Sequence, residues 1–170
     1  MIRIAVEEDV STIMDIVSKI KEEMNRANNP QWDVAYPLAC HFLEDIKQKA
    51  LYVYEYEKKV VGFITILEDV EDEYISVLES SKDRAFIVHR LGVEASFRKM
   101  GIAQNLMQYA EDLARKSNVY LIKADTEFSN VKMNHLFNKM GYRKITTFVW
   151  PNVDSTFNYY EKRLGGEKNV

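Results

Sequence analysis

The sequence predicts a mixed α/β domain in which helices cover a central sheet, and three observations lead to this fold class. The chain has 170 residues, a length that suits a single hydrophobic core. Segments typical of strands alternate with segments of helical period along the chain. In the second half, a strand, a helix and another strand follow one another, and such a unit requires a parallel crossover.

The first half of the chain is predicted to form one strand, two helices and a hairpin. Alternation identifies the strand, apolar residues at helical spacing identify the helices, and β-branched and aromatic residues identify the hairpin. The expected elements are a strand at 2–6, helices from Val10 to Met24 and from about Tyr36 to Lys49, and hairpin strands at Leu51–Glu57 and Val60–Leu67. Lys58 and Lys59 are predicted to form the turn of this hairpin.

The second half begins with Ala85–Val93, a nearly continuous apolar run interrupted by His89 and Arg90. Such a run is typical of a central strand buried on both faces. The elements expected after it are a helix at Ile102–Lys116, a strand at Val119–Ala124, a helix at about Asn130–Met140, and strands at about Arg143–Trp150 and Thr156–Arg163. Gly141 suits a left-handed cap of the last helix. The sum is a mixed sheet of roughly six or seven strands with about four helices.

Charge and composition exclude several classes of function. The formal net charge of −3 offers no basic field, so we expect no nucleic-acid partner. The single cysteine, Cys40, cannot form an intramolecular disulfide or a thiolate cluster, and the three histidines show no metal-ligand spacing. We therefore expect no metal.

The chain ends predict a cytoplasmic protein without a membrane segment. At the amino terminus, Arg3 interrupts the apolar run and acidic residues follow at once, which fits neither a signal peptide nor a membrane span. At the carboxyl terminus, the tail 165–170 is expected to be frayed, so that residues 1–164 form a single domain.

The segment from His89 to Ala103 joins the predicted central strand to the next helix through a basic loop. Backbone N–H groups in the first turn of a helix are unpaired and lie at the positive end of its dipole. A loop that brings Gly101 and Ala103 to this position can hold a pyrophosphate, with Arg98 and Lys99 adding positive charge. The alternative is that Gly101 permits a tight turn and that the basic residues are solvated.

Two motifs give the chain its resemblance to a known family. Arg98–Ala103 is similar to the coenzyme-binding motif of the GNAT superfamily, R/Q-x-x-G-x-G/A. Asn130–Tyr142 is similar to the second hallmark of that family, N-x-x-A-x-x-L-Y-x-K-x-G-F. More loosely, the order of elements from Ile2 to Arg163 fits the GNAT fold. The resemblance implies acetyl-CoA as co-substrate and a fourth and a fifth strand that splay apart to hold its pantothenate arm.

The resemblance also assigns residues to parts of the coenzyme. It implies that the backbone of Leu91, Gly92 and Val93 bonds the pantothenate arm. It implies that the pyrophosphate is held by Arg98, Lys99, Met100, Gly101, Ile102 and Ala103. Asn130 should reach the pantetheine end of the coenzyme, and its residue type also favours a helix N-cap. Both roles of Asn130 are compatible.

Two residues depart from the family pattern. Lys99 occupies a position that is often glycine, so it needs either a negative φ or a tolerated left-handed conformation. Within the coenzyme site, Phe137 stands where many members carry a tyrosine that protonates the departing thiolate, and phenylalanine has no proton to give. Phe137 therefore leaves open the alternative of an acyl-CoA-binding or sensing protein with little or no turnover.

By this resemblance the chain is expected to be an N-acetyltransferase that moves an acetyl group from acetyl-CoA to a primary amine. Transfer is expected to be direct, in a ternary complex, to a small-molecule amine or a peptide amine. Because an ammonium must lose a proton before it attacks, His89 is the candidate base. Its position matches a histidine of the similar arylalkylamine acetyltransferases, on a face that parity assigns to His89, Leu91 and Val93. A structural histidine is the competing interpretation, and Glu94 is a substitute base.

The acceptor side is less defined. Several residues fall in the regions that form acceptor pockets in this family and could equally be core residues: Trp32, Tyr36, Pro37, Trp150 and Phe157. The acidic run Glu68–Glu73 has two interpretations, a field that attracts an amine and a solvated loop. The oligomeric state also stays open, with a homodimer as one alternative.

Overall fold

A computed structural model describes residues 1–69, 74, 82–151 and 153–165. The described residues contain seven strands, which are β1 (Ile2–Ile4), β2 (Leu51–Tyr56), β3 (Lys59–Asp69), β4 (Ala85–Val93), β5 (Leu121–Glu127), β6 (Arg143–Val149) and β7 (Thr156–Arg163). They contain four α-helices, which are α1 (Val10–Arg26), α2 (Ala39–Lys47), α3 (Ile102–Lys116) and α4 (Val131–Lys139). The number of strands and the number of helices agree with the prediction.

The strands form a mixed sheet in the order β1-β2-β3-β4-β5-β7-β6. The described registers are antiparallel for β1 with β2, β2 with β3, β5 with β7, and β6 with β7. β4 and β5 are parallel, and their described register pairs Phe86–Val88 with Ile122–Ala124. The predicted mixed α/β class, with a splayed fourth and fifth strand, is confirmed.

The chain divides into two compact units, of which the first comprises Met1–Ile66 and His89–Tyr109. The helical period of α1 places its apolar residues on one face, and these join residues of α2, β2 and β3 in the core of this unit. Phe63 of β3 is fully buried there, with its ring centroid 5.4 Å from that of Phe42 and 6.4 Å from that of Trp32. Burial of one such phenylalanine contributes about 1.5–3 kcal/mol to the free energy of unfolding.

The second unit comprises Leu67–Val88 and Ala110–Val170. Its described core contains Tyr74, Ile87, Phe148, Phe157 and Tyr159. Lys123 of β5 and Asp69 of β3 form an ion pair at 2.5 Å, and their side chains are 1% and 3% exposed. Pairing allows these charges in the interior, because an isolated buried charge would be strongly unfavourable.

Some element bounds differ from the prediction for local reasons. α2 begins at Ala39 and not near Tyr36, because Pro37 disfavours helical backbone at the residue before it. The turn between β2 and β3 consists of Glu57 and Lys58, whose φ values are 48° and 63°, as a type I′ turn requires. The prediction that Lys58 and Lys59 form this turn was wrong by one residue.

Other predictions have mixed outcomes. β5 runs from Leu121 to Glu127, so the prediction of 119–124 placed it too early. Gly141 follows α4 with a φ of 79°, which confirms the left-handed cap. Of the acidic run and the tail, residues 70–73 and 166–170 lie outside the described residues. In the part of the chain that the structure describes, no helix is long and apolar enough to cross a membrane.

Candidate active site

The carboxyl end of β4 lies in the first unit and contains the candidate base. His89 is half-buried and is followed by Arg90, whose φ of 45° is left-handed. A residue other than glycine in this conformation costs about 1–3 kcal/mol and persists when its surroundings hold it. Because such a residue interrupts the alternation of side chains along a strand, parity does not place His89 on the face of Leu91 and Val93. The predicted common face is therefore not supported.

Contacts to α2 and to the loop before it hold Arg90 in place. Its Nε and Nη2 donate to the Asp45 carboxylate at 2.9 and 2.6 Å, and its Nη1 donates to the Tyr36 hydroxyl at 2.8 Å. The side chains of Arg90 and Asp45 are 11% and 4% exposed. Burial opposes the charge of Arg90, but the Tyr36 and Asp45 oxygens outweigh it, so the pKa of the guanidinium is raised.

Gly92 has a packing role in addition to its predicted place in the coenzyme site. A Cβ added to this residue would lie 2.5 Å from Cζ of Phe63 and 3.1 Å from Cδ1 of Ile20. Only a glycine lets this part of β4 approach the core of the first unit so closely. Gly92 is buried, and so is Val93, whereas Leu91 is partly exposed.

The loop after β4 changes direction through two left-handed residues. A short 3-10 turn at Ala95–Phe97 is followed by Arg98 in extended conformation, Lys99 with φ 66° and Gly101 with φ 77°. Lys99 therefore adopts the conformation that glycine provides more easily, and its side chain is exposed. Met100, between them, is 50% exposed.

These turns lead directly into the first turn of α3. The Asn105 N–H bonds the Gly101 carbonyl at 2.9 Å and begins the helical hydrogen-bond pattern. The N–H groups of Ile102, Ala103 and Gln104 precede this bond and have no carbonyl partner within the helix. With the positive end of the helix dipole, they form the kind of site that binds a phosphate.

Arg98 makes contacts that the sequence did not predict. Its Nη1 donates to the Glu23 carboxylate of α1 at 2.6 Å, and its Nε donates to the Val93 carbonyl at 3.2 Å. The side chains of Arg98 and Glu23 are 29% and 27% exposed. These contacts fix the guanidinium beside the end of β4. Nothing in the sequence distinguishes Glu23 from the other acidic residues of α1, so this partner was not identified.

Asn130 and Phe137 belong to the second unit. Asn130 is the N-cap of α4, and its side chain accepts a hydrogen bond from the Met133 N–H at 3.3 Å, as its residue type favours. Phe137 is 1% exposed, with ring centroids 5.0 Å from Tyr160 and 5.6 Å from Tyr142. The Tyr160 hydroxyl donates to Oδ1 of Asn134 at 2.7 Å. Burial raises the pKa of Tyr160.

The residues predicted for the acceptor side differ in their surroundings. Trp32 and Phe157 are buried core residues, 6% and 5% exposed, and Pro37 is also buried. Trp150 packs against Tyr74 in the second unit, with ring centroids 5.5 Å apart. Tyr36 is partly exposed and bonds Arg90. For Trp32 and Phe157 the alternative of an ordinary core residue is the better description.

Comparison with known proteins identifies the family. Residues 17–142 match the model of the Acetyltransferase (GNAT) family, and this match spans most of the chain. The chain belongs to the GNAT acetyltransferase family. The recognition made from the two motifs is therefore confirmed. Among curated proteins, none matches the chain.

Solved structures of proteins assigned as acetyltransferases share the fold over almost the whole chain. A GNAT acetyltransferase of Streptococcus agalactiae has a TM-score of 0.83 and 23% identity, covering 98% of this chain and 96% of that one. A Staphylococcus aureus protein assigned as an acetyltransferase has 30% identity and a TM-score of 0.74, covering 97% and 99%. A Salmonella typhimurium protein assigned as an acetyltransferase was solved with its cofactor acetyl-CoA and has 14% identity and a TM-score of 0.71, covering 100% and 96%.

Proposed function

We propose that this GNAT family member is an N-acetyltransferase that moves the acetyl group of acetyl-CoA to a primary amine by direct transfer in a ternary complex. The observation that carries the proposal is the loop with left-handed Lys99 and Gly101, which leads into the unpaired N–H groups at the start of α3. The structural neighbour solved with acetyl-CoA supports the choice of co-substrate.

The residues at the end of β4 and the start of α3 fit such a co-substrate. A Cβ at Gly101 would meet only Gln104 Oε1, at 3.9 Å, so space is open beside the backbone at this point. We assign the pyrophosphate to this backbone and to Arg98, with Lys99, Met100, Ile102 and Ala103 as its neighbours. The backbone of Leu91, Gly92 and Val93 is assigned to the pantothenate arm, and Asn130 and Phe137 to the pantetheine end.

In the proposed reaction, His89 takes a proton from the ammonium form of the acceptor, directly or through water. The amine nitrogen then forms a bond to the acetyl carbonyl carbon and loses its second proton to solvent, and the carbon–sulfur bond breaks. The sulfur leaves with the bonding electrons and takes a proton from solvent, because Phe137 cannot supply one. Cys40, the one cysteine in the sequence, is exposed on α2, and direct transfer requires no acetylated cysteine.

The experiment that tests this function is a panel of small-molecule and peptide amines, incubated with acetyl-CoA and a dye that detects free thiol. We expect thiol release that requires both the protein and a particular class of amine. Release without amine would indicate hydrolysis. Binding of acetyl-CoA without release in any reaction would contradict the proposed transfer and would support a coenzyme-binding protein.

A further inference from the structure

Both the backbone and the side chain of Arg90 are held by contacts within the first unit. It has a left-handed backbone inside a strand, and each of its three guanidinium nitrogens donates a hydrogen bond. Asp45 accepts two of these bonds and also accepts one from the Thr65 hydroxyl at 2.7 Å. Thr65 is fully buried in β3. A buried ion pair with every polar atom satisfied fixes one geometry, because any alternative leaves a charge unpaired.

The third hydrogen bond of Arg90 joins the buried ion pair to the hydroxyl of the partly exposed Tyr36. This tyrosine lies at the end of a short turn in which the Asp33 carboxylate accepts from the Ala35 N–H at 2.8 Å and from the Tyr36 N–H at 3.0 Å. The ring of His41 lies 5.1 Å from the Tyr36 ring, at an interplanar angle of 66°. The turn fixes the backbone of Tyr36 and Arg90 fixes its hydroxyl, so a partly exposed ring is held in one position.

The residue that holds this ring, Arg90, lies between two residues of β4 to which roles in the reaction are proposed. Arg90 directly follows His89, the candidate base, and directly precedes Leu91, the first residue assigned to the coenzyme. A guanidinium lies over the Tyr36 ring, with Cζ of Arg90 5.9 Å from its centroid. Tyr36 is thus held by the Asp33 turn, by the His41 ring and by Arg90. Such a constrained side chain is typical of a residue that must meet a ligand in a defined orientation.

We infer that Tyr36 orients the acceptor amine, and that Asp45 and Arg90 are positioning residues that hold it in place. The inference rests on the proposed acetyl transfer. An aromatic face binds the carbon skeleton of an amine through its apolar surface. The substrate class is therefore an amine whose carbon skeleton lies against a tyrosine ring, next to β4.

The first test is Tyr36→Phe, which keeps the ring and removes its bond to Arg90. With an amine accepted by the parent, we expect the acceptor KM to rise by about three- to tenfold, the value of one hydrogen bond. The KM for acetyl-CoA and kcat should stay within about twofold. The control is Tyr52→Phe, which removes another partly buried phenol of the first unit. A merely structural role would lower the melting temperature and leave the acceptor KM unchanged.

The second test is the pair Asp45→Asn and Tyr36→Phe, alone and combined. If Asp45 acts on the acceptor through Arg90 and Tyr36, the double variant should have an acceptor KM within about twofold of that of Asp45→Asn. If the increases in acceptor KM of the two single variants multiply in the double variant, the inference is overturned. The matched control is Asp9→Asn, because Asp9 also accepts two bonds from one arginine, Arg3, at 2.8 and 2.9 Å.

The outcomes separate this inference from the proposed function. A parent that transfers acetyl groups, with a Tyr36→Phe variant of unchanged acceptor KM, would overturn the inference alone. A parent without transfer to any amine would overturn both. If Asp45→Asn does not fold, the acceptor KM of Tyr36→Phe still tests the inference, because this substitution removes only one hydroxyl.

Discussion

The Arg98 guanidinium donates from Nη1 to the Glu23 carboxylate at 2.6 Å and from Nε to the Val93 carbonyl at 3.2 Å. Within the described part of the chain, Nη2 makes no hydrogen bond. Nε and Nη1 thus fix the position of the guanidinium, and Nη2 remains for a ligand. Arg98 can bind a phosphate while it stays paired with α1.

We expect Arg98→Ala to weaken acetyl-CoA binding by about tenfold, the value of one charge-assisted hydrogen bond at a partly exposed site. The salt dependence of binding should also fall. Glu23→Gln keeps Arg98 and removes the competing negative charge, so it should tighten binding about two- to fivefold at low salt. Titration calorimetry at two salt concentrations measures both effects, and an Arg98→Ala protein that binds like the parent would show that the pyrophosphate lies elsewhere.

Gly101→Val should abolish acetyl-CoA binding, because valine is strained at a φ of 77° and its side chain would cover the backbone before α3. The strain should lower the free energy of unfolding by about 1–3 kcal/mol. Gly141→Val is the matched control, since Gly141 has a φ of 79° and open space at its Cβ. Both variants should lose similar stability in urea, and only Gly101→Val should lose the melting shift with acetyl-CoA. Equal shifts in the two variants would contradict the assignment.

His89→Gln should lower turnover by roughly 10²–10⁴ if His89 is the base, because glutamine can hydrogen-bond but cannot take the proton. The affinity for acetyl-CoA should barely change. The loss should shrink as pH rises, since more of the acceptor is then already neutral. His135→Gln, at an exposed position on α4, is the control. The pH profile of kcat for both variants checks this prediction, and full turnover of His89→Gln at neutral pH would remove His89 from the mechanism.

Tyr142→Phe should raise the melting temperature at neutral pH. The Tyr142 hydroxyl is buried beside the Glu111 carboxylate, and its geometry to the described residues does not meet that of an ordinary hydrogen bond. Its removal relieves a cost of about 1 kcal/mol, equivalent to about 2–4 °C in a chain of this size. An equal or lower melting temperature of the variant would show that the hydroxyl has a partner.

The same residue predicts a difference at alkaline pH. Burial, with the nearby negative charge of Glu111, raises the pKa of Tyr142 well above 10.0. The stability linked to this group is fully present below the unfolded pKa of 10.0 and is lost as pH rises above it, because unfolding lets the phenol ionise. Tyr142→Phe should therefore lose less stability between neutral and alkaline pH than the parent. Tyr56→Phe, which removes a phenol that is 38% exposed, should behave like the parent.

The sequence predicted the elements that have strong local signals. The apolar run of β4 and the helical period of α3 gave the observed bounds, Ala85–Val93 and Ile102–Lys116. The start of α2 was predicted about three residues too early, although Pro37 carries a local signal that disfavours helix at Tyr36. The left-handed cap at Gly141 followed from residue type.

The parts of the candidate site that depend on tertiary contacts were not predicted. Arg90 has no local reason to be left-handed in a strand, and its conformation depends on Asp45, 45 positions earlier in the chain. The pair of Arg98 and Glu23 joins residues 75 positions apart. Charged residues of this kind are common on helix surfaces, so spacing alone cannot select the partner.

The central claim is acetyl transfer to an amine, and mass spectrometry of the acceptor tests it most directly. The parent protein is incubated with acetyl-CoA carrying an isotopically labelled acetyl group and with the amine that gives the fastest thiol release. We predict that the amine gains one labelled acetyl group for each CoA released, and that Gly101→Val gives neither product. Free CoA with an unmodified amine, or a labelled product formed equally well without the protein, would contradict the claim.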